Sequence, residues 1–244
     1  MAQAENGLNC QNCHIAAGTR LFGNNFSKVA CTYPKYRPRR DKYVSIAGRI
    51  NGCMERSMNG KALDTNRREM KAFIAYFKWL GKGVDRKTNL FGEGTEKLPF
   101  LDRAADPEKG SVVFTTICQA CHGKNGEGKL KAASTEYLYP ALWGTHSYNT
   151  GAGLYRISKF ADYVKNNMPF GTTCHDPLLT DEQAWDVAAF VNSKPHPAFK
   201  DIEKDWPKIA SKPFDYPFGP YADKFSERQH KYGPFEEIVN FKDK

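Results

Sequence analysis

Two segments of the chain repeat apolar residues at intervals of three and four, the spacing that predicts an amphipathic helix. The apolar positions of the first segment are Met70, Phe73, Ile74 and Phe77. Those of the second segment are Ala184, Val187, Ala188 and Val191. We expect Gly81 or Gly83 to end the first helix. Thr180 and Gln183 have the spacing of a capping box, which predicts that the second helix begins there.

A third helix is predicted to begin at Asp106, because an aspartate at the N-cap followed by Pro107 is a typical helix start. Gly110 and Phe114 lie four residues apart and should share one face of this helix. The stretch GKNGEG at 123–128 predicts a loop between this helix and the closing helix near residue 184.

Two further parts of the chain have no helical period. Residues 84–105 predict a linker that runs over the surface. From Lys194 onward the chain is rich in proline, aromatic and charged residues. So many aromatic side chains disfavour disorder, so we expect an extended tail that packs across the rest of the protein.

Composition narrows the function classes. The chain is 40% hydrophobic and 26% charged, which is ordinary for a globular protein, and its formal net charge is +9. A basic protein suits small anionic substrates, acidic proteins, anionic membranes or nucleic acid. The basic residues are scattered and match no nucleic-acid motif, so nucleic acid is not expected. No stretch reaches the roughly 18 apolar residues of a membrane span.

Four of the seven cysteines lie in two C-x-x-C-H motifs, the pattern of c-type haem attachment. The motif residues are Cys10, Cys13 and His14 in the first copy and Cys118, Cys121 and His122 in the second. Two thiols at this spacing can bond the two vinyl groups of one porphyrin, and the adjacent histidine can bind its iron. A zinc site or a redox dithiol is the alternative for a single motif, and two copies disfavour it. We therefore predict two covalently bound haem c groups.

Haem of this kind is attached outside the cytoplasm, which predicts a periplasmic protein. The opening residues have no apolar segment typical of a signal peptide, so we expect that a leader has been removed. Only nine residues precede Cys10. The usual first helix of a cytochrome c domain is then missing, or packing from elsewhere in the chain replaces it.

Each haem iron needs a further ligand or an open position. For the second haem we predict Met168, which precedes Pro169 in a loop ahead of the closing helix, with Lys165 as a weaker alternative. A thioether opposite histidine raises the reduction potential and suits electron transfer. For the first haem the candidates are Cys53, Met54 and Met58, with Cys31 more remote.

The segment 45–59 can form a helix, although Gly48 and Gly52 weaken it. On such a helix Arg49, Cys53 and Ser57 share one face. Arg39 and Arg40, in YRPRRDKY, could add positive charge and make an anion pocket beside the haem. The alternatives are an ordinary buried cysteine and solvent-facing arginines.

Helix, haem motif, loop, methionine and closing helix together resemble the class I cytochrome c domain. The resemblance predicts an all-α fold of two such domains. We expect the N-terminal domain at 1–83, the linker at 84–105, the C-terminal domain at 106–195 and the extended tail at 196–244. Pro140, in YLYPALWG, could offer its carbonyl to the proximal histidine of the second haem.

Several stretches resemble the dihaem thiosulfate dehydrogenases, which are also tetrathionate reductases. They are LNCQNCH, YPKYRPRR, RINGCMERSMNGKAL, MKAFIAYFKWL, NMPFG, DEQAWDVAAFVNSKPHP and DYPFGPYADKF. The resemblance covers nearly the whole chain from Leu8. It implies a first, catalytic haem and a second, electron-transfer haem. Electrons from the reversible joining of two thiosulfates into tetrathionate would pass from haem 1 to haem 2 and then to an external periplasmic acceptor, a cytochrome c.

The resemblance also assigns residues. It implies that Cys53 is the distal ligand of the first haem and Met168 that of the second. Arg49, Ser57, one of Arg39 and Arg40, and less firmly Lys61 would form the substrate pocket. Asn167 stands where some relatives have a lysine that can replace the methionine, so a stable second haem is expected. We also hypothesise that the Cys53 sulfur carries a covalent thiosulfate-derived group.

Two other functions fit the motifs. The first is a dihaem electron carrier without a substrate, which the face of Arg49, Cys53 and Ser57 disfavours. The second is a related cytochrome that oxidises a carrier-bound sulfur. The sequence leaves open the direction of the reaction, the electron partner, the oligomeric state and whether Cys31 and Cys174 are free or paired.

Overall fold

The computed structural model describes residues 4–242 and is rich in helix. The helices are α1 (Ile15–Gly18), α2 (Val29–Thr32), α3 (Ile46–Arg56), α4 (Arg68–Leu80), α5 (Pro107–Val113), α6 (Gln119–His122), α7 (Ile157–Asn167), α8 (Asp181–Ser193), α9 (Glu227–Tyr232) and α10 (Glu236–Lys242). The strands are β1 (Lys35–Arg37), β2 (Lys42–Val44), β3 (Lys129–Leu130) and β4 (Tyr137–Tyr139). They form two antiparallel two-stranded sheets, β1–β2 and β3–β4, which the all-α prediction did not include.

The helix boundaries follow the local signals in the sequence. The Asp106 side chain accepts hydrogen bonds from the backbone N–H groups of Glu108 and Lys109 and caps α5. Thr180 and Gln183 form the predicted capping box at the start of α8. Helix α4 ends at its C-cap, Gly81. These three predictions are confirmed.

The buried apolar side chains form two main clusters. The smaller cluster lies in the first third of the chain and consists of Ile50, Met54, Met58, Leu63, Met70 and Phe77. The larger cluster surrounds α5, α7 and α8 and includes Phe114, Trp185 and Val191. Phe235 and Ile238, near the C-terminus, also belong to the larger cluster, so the end of the chain packs into this core.

Helices α5 and α8 pack closely because the contact contains a glycine. A Cβ atom added to Gly110 would lie 1.9 Å from the backbone oxygen of Asp186, inside van der Waals contact. Phe114, one turn later, is buried against Trp143 and Phe190, with ring centroids 4.9 and 5.4 Å away. Phe114–Cys118 is a π-helical turn between α5 and α6, and it leads directly into the second haem motif.

We expect Gly110→Ala to lower the free energy of unfolding of the haem-loaded protein by about 1–3 kcal/mol, because the new methyl group forces the two helices apart. Thermal and denaturant unfolding would measure the change. Gly153→Ala is the matched control, since a Cβ there meets no atom within 4 Å. Equal stabilities of the two variants would contradict the close contact.

The segment after Lys194 contacts both halves of the chain. Its Asp205 pairs with Arg56 of α3. Its Asp215 accepts hydrogen bonds from Arg156 Nε at 2.7 Å and from the Ser158 backbone N–H at 3.1 Å, at the start of α7. Within residues 4–242, no helix has the length and apolar character needed to cross a membrane.

Candidate functional site

The first haem motif forms a tight turn. Cys10–Asn12 is a 3₁₀-helix capped by the side chain of Asn9, and the His14 backbone N–H donates to the Cys10 carbonyl at 2.8 Å. The His14 Nδ1 atom donates a short hydrogen bond to the carbonyl oxygen of Asn24, because a carbonyl can only accept. This bond fixes the tautomer and leaves Nε2 available as a ligand.

Helix α3 brings Cys53 to this histidine. Ser45 caps the start of the helix by accepting from the Gly48 backbone N–H, so the predicted helix forms despite its glycines. Burial alone would raise the pKa of Cys53, but the positive charge of Arg49 and a hydrogen bond with the His14 side chain lower it to about 7. The Cys53 sulfur and the His14 imidazole therefore lie close together, and both could hold the iron of one haem.

Two arginines lie beside Cys53. Arg49 precedes it by one helical turn and hydrogen-bonds Tyr33, and the Cys53 thiolate raises the pKa of Arg49. The Arg49 side chain is exposed to solvent on α3. Arg37, at the end of β1, is half-buried. Burial lowers the pKa of Arg37. The charge of Arg49 also lowers this pKa, and the charge of Cys53 raises it. Two cations and one sulfur thus form the candidate anion pocket at Cys53.

Arg37 was not among the residues singled out from the sequence. The sequence reasoning chose its neighbours Arg39 and Arg40, which the structure places in other contacts. Arg40 pairs with Glu55 at 3.2 Å. Arg39 donates to the carbonyl oxygen of Gly151 at 3.0 Å. The sequence has no local signal that separates Arg37 from Arg39, since residues two apart share one face of a strand.

The remaining predicted pocket residues lie at the end of α3 or after it. Ser57 is the C-cap residue of the helix, half-buried, and its backbone N–H donates to the Cys53 carbonyl. Lys61 has a side chain that is 83% exposed and lies 3.6 Å from Glu5 in a surface ion pair. The roles of Ser57 and Lys61 stay predictions.

The second haem motif has the predicted partner for its histidine. His122 Nδ1 donates to the Pro140 carbonyl oxygen at 2.8 Å, which confirms the expectation from YLYPALWG. Burial lowers the pKa of His122, so its Nε2 stays unprotonated and able to bind iron. Met168 lines the same cavity as His122, Cys118 and Cys121.

The neighbours of Met168 are engaged elsewhere. Lys165 Nζ donates to the Leu179 carbonyl at 2.7 Å and lies 2.8 Å from Asp181. Asn167 is buried and its amide donates to the carbonyl oxygens of Tyr163 and Phe22, at 2.8 and 3.1 Å. Met168, Pro169 and Phe170 of this turn line the cavity, and Met168 is the one of the three that could bind iron.

Both motifs have the donors that haem c requires. Each has two thiols and a histidine, with a further sulfur nearby, and the cavity at the second motif is walled mainly by apolar side chains such as Leu142, Phe160 and Val164. Cys13 and Ile15 line this same cavity, so the two motifs adjoin. Cys31 and Cys174 are not paired with each other.

Comparison with known families defines the class of the protein. Residues 1–85 match the family model described as "SoxA/TsdA, cytochrome c domain", and residues 107–195 match the model described as "Cytochrome c". The chain is therefore a c-type cytochrome with two cytochrome c domains and two covalently bound haem c groups.

Relatives then define the family. The thiosulfate dehydrogenase of Allochromatium vinosum is 38% identical over 204 residues, which cover 82% of this chain and 74% of that protein. The one from Psychrobacter arcticus is 37% identical over 204 residues, covering 83% of this chain and 60% of that protein. The chain belongs to the thiosulfate dehydrogenase family.

A solved structure has the same fold. The thiosulfate dehydrogenase (TsdBA) from Marichromatium purpuratum, in its "as isolated" form, superposes with a TM-score of 0.73 at 33% identity. The match covers 78% of this chain and 41% of that chain. The match thus spans 60% of the length of the Psychrobacter relative and 41% of the Marichromatium chain.

Proposed function

We propose that this protein joins two thiosulfates into one tetrathionate, reversibly, and passes the two electrons to an external acceptor in the periplasm. Two thiosulfate dianions form one S–S bond and lose two electrons in total, so charge and atoms balance. The names of its relatives support thiosulfate as the substrate. The division into domains at 1–83 and 106–195, a linker at 84–105 and a tail at 196–244 is part of this proposal.

The observation that carries the proposal is the cationic pocket at Cys53. Thiosulfate is a dianion, and the reaction brings two of them together against their mutual repulsion. The positive charges of Arg49 and, more weakly, Arg37 both lower the pKa of the same thiol, Cys53. Guanidinium groups bind oxyanions through paired N–H donors, so the two side chains can hold and orient sulfonate oxygens. A protein that only carried electrons would have no need for this pair.

Cys53 and His14 define where the chemistry takes place. When bound, the haem c groups supply one-electron redox chemistry, transferring electrons from the first site to the second and then to the acceptor. His14 is oriented by its bond to the Asn24 carbonyl, and Cys53 is held by α3. We assign Cys53 as the distal ligand of the first site, next to the bound substrate.

The second motif is assigned to electron exit. His122, oriented by Pro140, and Met168 are its proposed axial ligands. Cys13 of the first motif lines the same cavity as Met168, so the residues that would hold the two haem groups lie near each other. The thiolate at the first site and the thioether at the second favour electron flow toward the second.

We expect Met168→Ala to lower the reduction potential of the second haem by on the order of 100 mV, because the thioether favours the reduced iron. A spectroelectrochemical titration would measure this shift, and the first haem should titrate as in the wild type. Met70→Leu, in the buried core of the first domain, is the control and should change neither potential. An unchanged second potential in Met168→Ala would remove Met168 as the ligand.

Mixing the oxidised holoprotein with thiosulfate, without air or acceptor, tests the proposal against the electron-carrier alternative. The proposed enzyme should show a change in its first haem spectrum, partial haem reduction and the formation of tetrathionate. A carrier should show two haem spectra that do not respond to thiosulfate. Absence of both responses, with two haems attached, would contradict the proposed function.

A further inference from the structure

One buried carboxylate of the tail lies between two segments of the pocket. Asp205 Oδ1 and Oδ2 each lie 2.7 Å from a guanidinium nitrogen of Arg56. Arg39 Nε lies 3.8 Å from Asp205 Oδ2. Arg56 and Asp205 are each only 6% exposed, so water does not screen this contact.

The two arginines belong to the segments that carry the pocket cations. Arg56 follows Cys53 by three residues in α3, within one helical turn. Arg39 follows Arg37 by two residues, in the 3₁₀-helix Pro38–Arg40. Asp205 therefore connects the segment that carries Cys53 to the segment that carries Arg37.

Further contacts restrict the positions of both arginines. The carbonyl oxygen of Gly151 accepts from Arg39 at 3.0 Å and from Arg56 at 3.1 Å. The Arg56 guanidinium lies 4.0 Å above the ring of Phe199, and the Trp206 backbone N–H donates to the Arg39 carbonyl at 2.9 Å. A planar fork held by two oxygens has little rotational freedom. These contacts can therefore hold the segment of Arg39 and the segment of Arg56 at a fixed distance from each other.

We propose that Asp205 is a positioning residue that sets the distance between Arg37 and the Cys53–Arg49 face of α3. It touches neither substrate nor haem in this account and acts through Arg56 and Arg39. The substrate part of the inference rests on the proposed function. The expected effect on Cys53 does not rest on the proposed function, since it concerns only the position of α3 relative to His14.

The test uses the holoprotein with Asp205→Asn and Arg56→Lys. Asparagine has no negative charge to share between two arginines, and lysine has no planar fork for the carboxylate. Asp41→Asn is the matched control. It breaks the 2.8 Å surface pair between Asp41 and Lys208, which also ties the tail to the β1–β2 hairpin. Asparagine also tolerates the left-handed backbone conformation of position 41, where φ is 47°.

Two measurements are made on each variant. The first is the paramagnetic resonance spectrum of the ferric first haem, which reports its axial thiolate without any turnover. The second is the KM for thiosulfate. We expect Asp205→Asn to broaden or split the first-haem signal, to leave the second-haem signal unchanged and to raise KM by about 10- to 100-fold. Arg56→Lys should show the same changes to a smaller extent.

Wild-type spectra and KM in Asp205→Asn would overturn the proposal. If that variant fails to fold, Arg56→Lys decides in the same way, because it keeps a cation next to Asp205. Equal changes in Asp41→Asn would also overturn it, since the effect would then belong to the tail in general. If even the wild type does not convert thiosulfate, the proposed function fails, while the first-haem spectra still test the position of Cys53.

Discussion

Replacing Cys53 with glycine should lower the thiosulfate turnover number at least about 1000-fold while both haem groups stay attached. The variant removes the side chain that we propose as a ligand of the first haem iron, together with any covalent role of its sulfur. Pyridine haemochrome spectra would count the haems, and a ferricyanide-coupled assay would measure turnover. The electron paramagnetic resonance spectrum of the ferric first haem should lose the features of a thiolate ligand. The spectrum of the second haem should not change.

Cys174→Ser is the control for this experiment. Cys174 is another unpaired, half-buried cysteine, and it lies outside both haem motifs and outside helix α3. It should keep wild-type turnover and both spectra. Near-normal activity in Cys53→Gly with two haems present would refute both the ligand role and the covalent role.

Replacing Arg37 or Arg49 with glutamine should reduce kcat/KM for thiosulfate by about 10- to 100-fold each, since a hydrogen bond to a charged group contributes about 1.5–3 kcal/mol. Steady-state rates over a range of thiosulfate concentrations would give this ratio. The double variant should lose less than the product of the two single effects, because both cations are proposed to bind the same anion. The haem spectra should persist in Arg37→Gln, which lies on a different element from Cys53.

Arg68→Gln provides the matched loss of one positive charge. Arg68 is exposed at the start of α4, so its replacement changes the net charge without changing the pocket. The Arg68→Gln variant should keep kcat/KM within about twofold of the wild-type value, because salt screens the charge of an exposed side chain. A loss in Arg68→Gln as large as in Arg37→Gln would mean that the general positive charge, and not the pocket, attracts the substrate.

The structural features that were predictable from the sequence depend on local interactions. The caps at Asp106 and Thr180 involve residues two or three positions away, and the spacing of Arg49 and Cys53 is one helical turn. The residues of each haem motif follow one another directly in the sequence. Each of these follows from neighbouring residues, so no knowledge of the tertiary fold is needed.

The rest depends on contacts between distant residues. Arg37 lies near enough to Cys53 for its charge to lower the pKa of that thiol, although a 3₁₀-helix and a turn at Asp41 follow β1 before the chain reaches α3. Asp205 meets Arg56 across 149 positions of sequence, in a tail with no helical period. Spacing along the chain has no information about such pairs. Arg39 and Arg40 lie in the same segment as Arg37, and their proposed role in the substrate pocket stays a prediction.

The most direct test of the central claim is the stoichiometry of the reaction. The oxidised holoprotein would be mixed with thiosulfate and ferricyanide, and acceptor loss and tetrathionate formation would be followed together. If the protein joins two thiosulfates into tetrathionate, two thiosulfates are consumed and two ferricyanides are reduced for each tetrathionate formed. Absence of tetrathionate with both haems intact, or oxidation of thiosulfate to a different product, would contradict it.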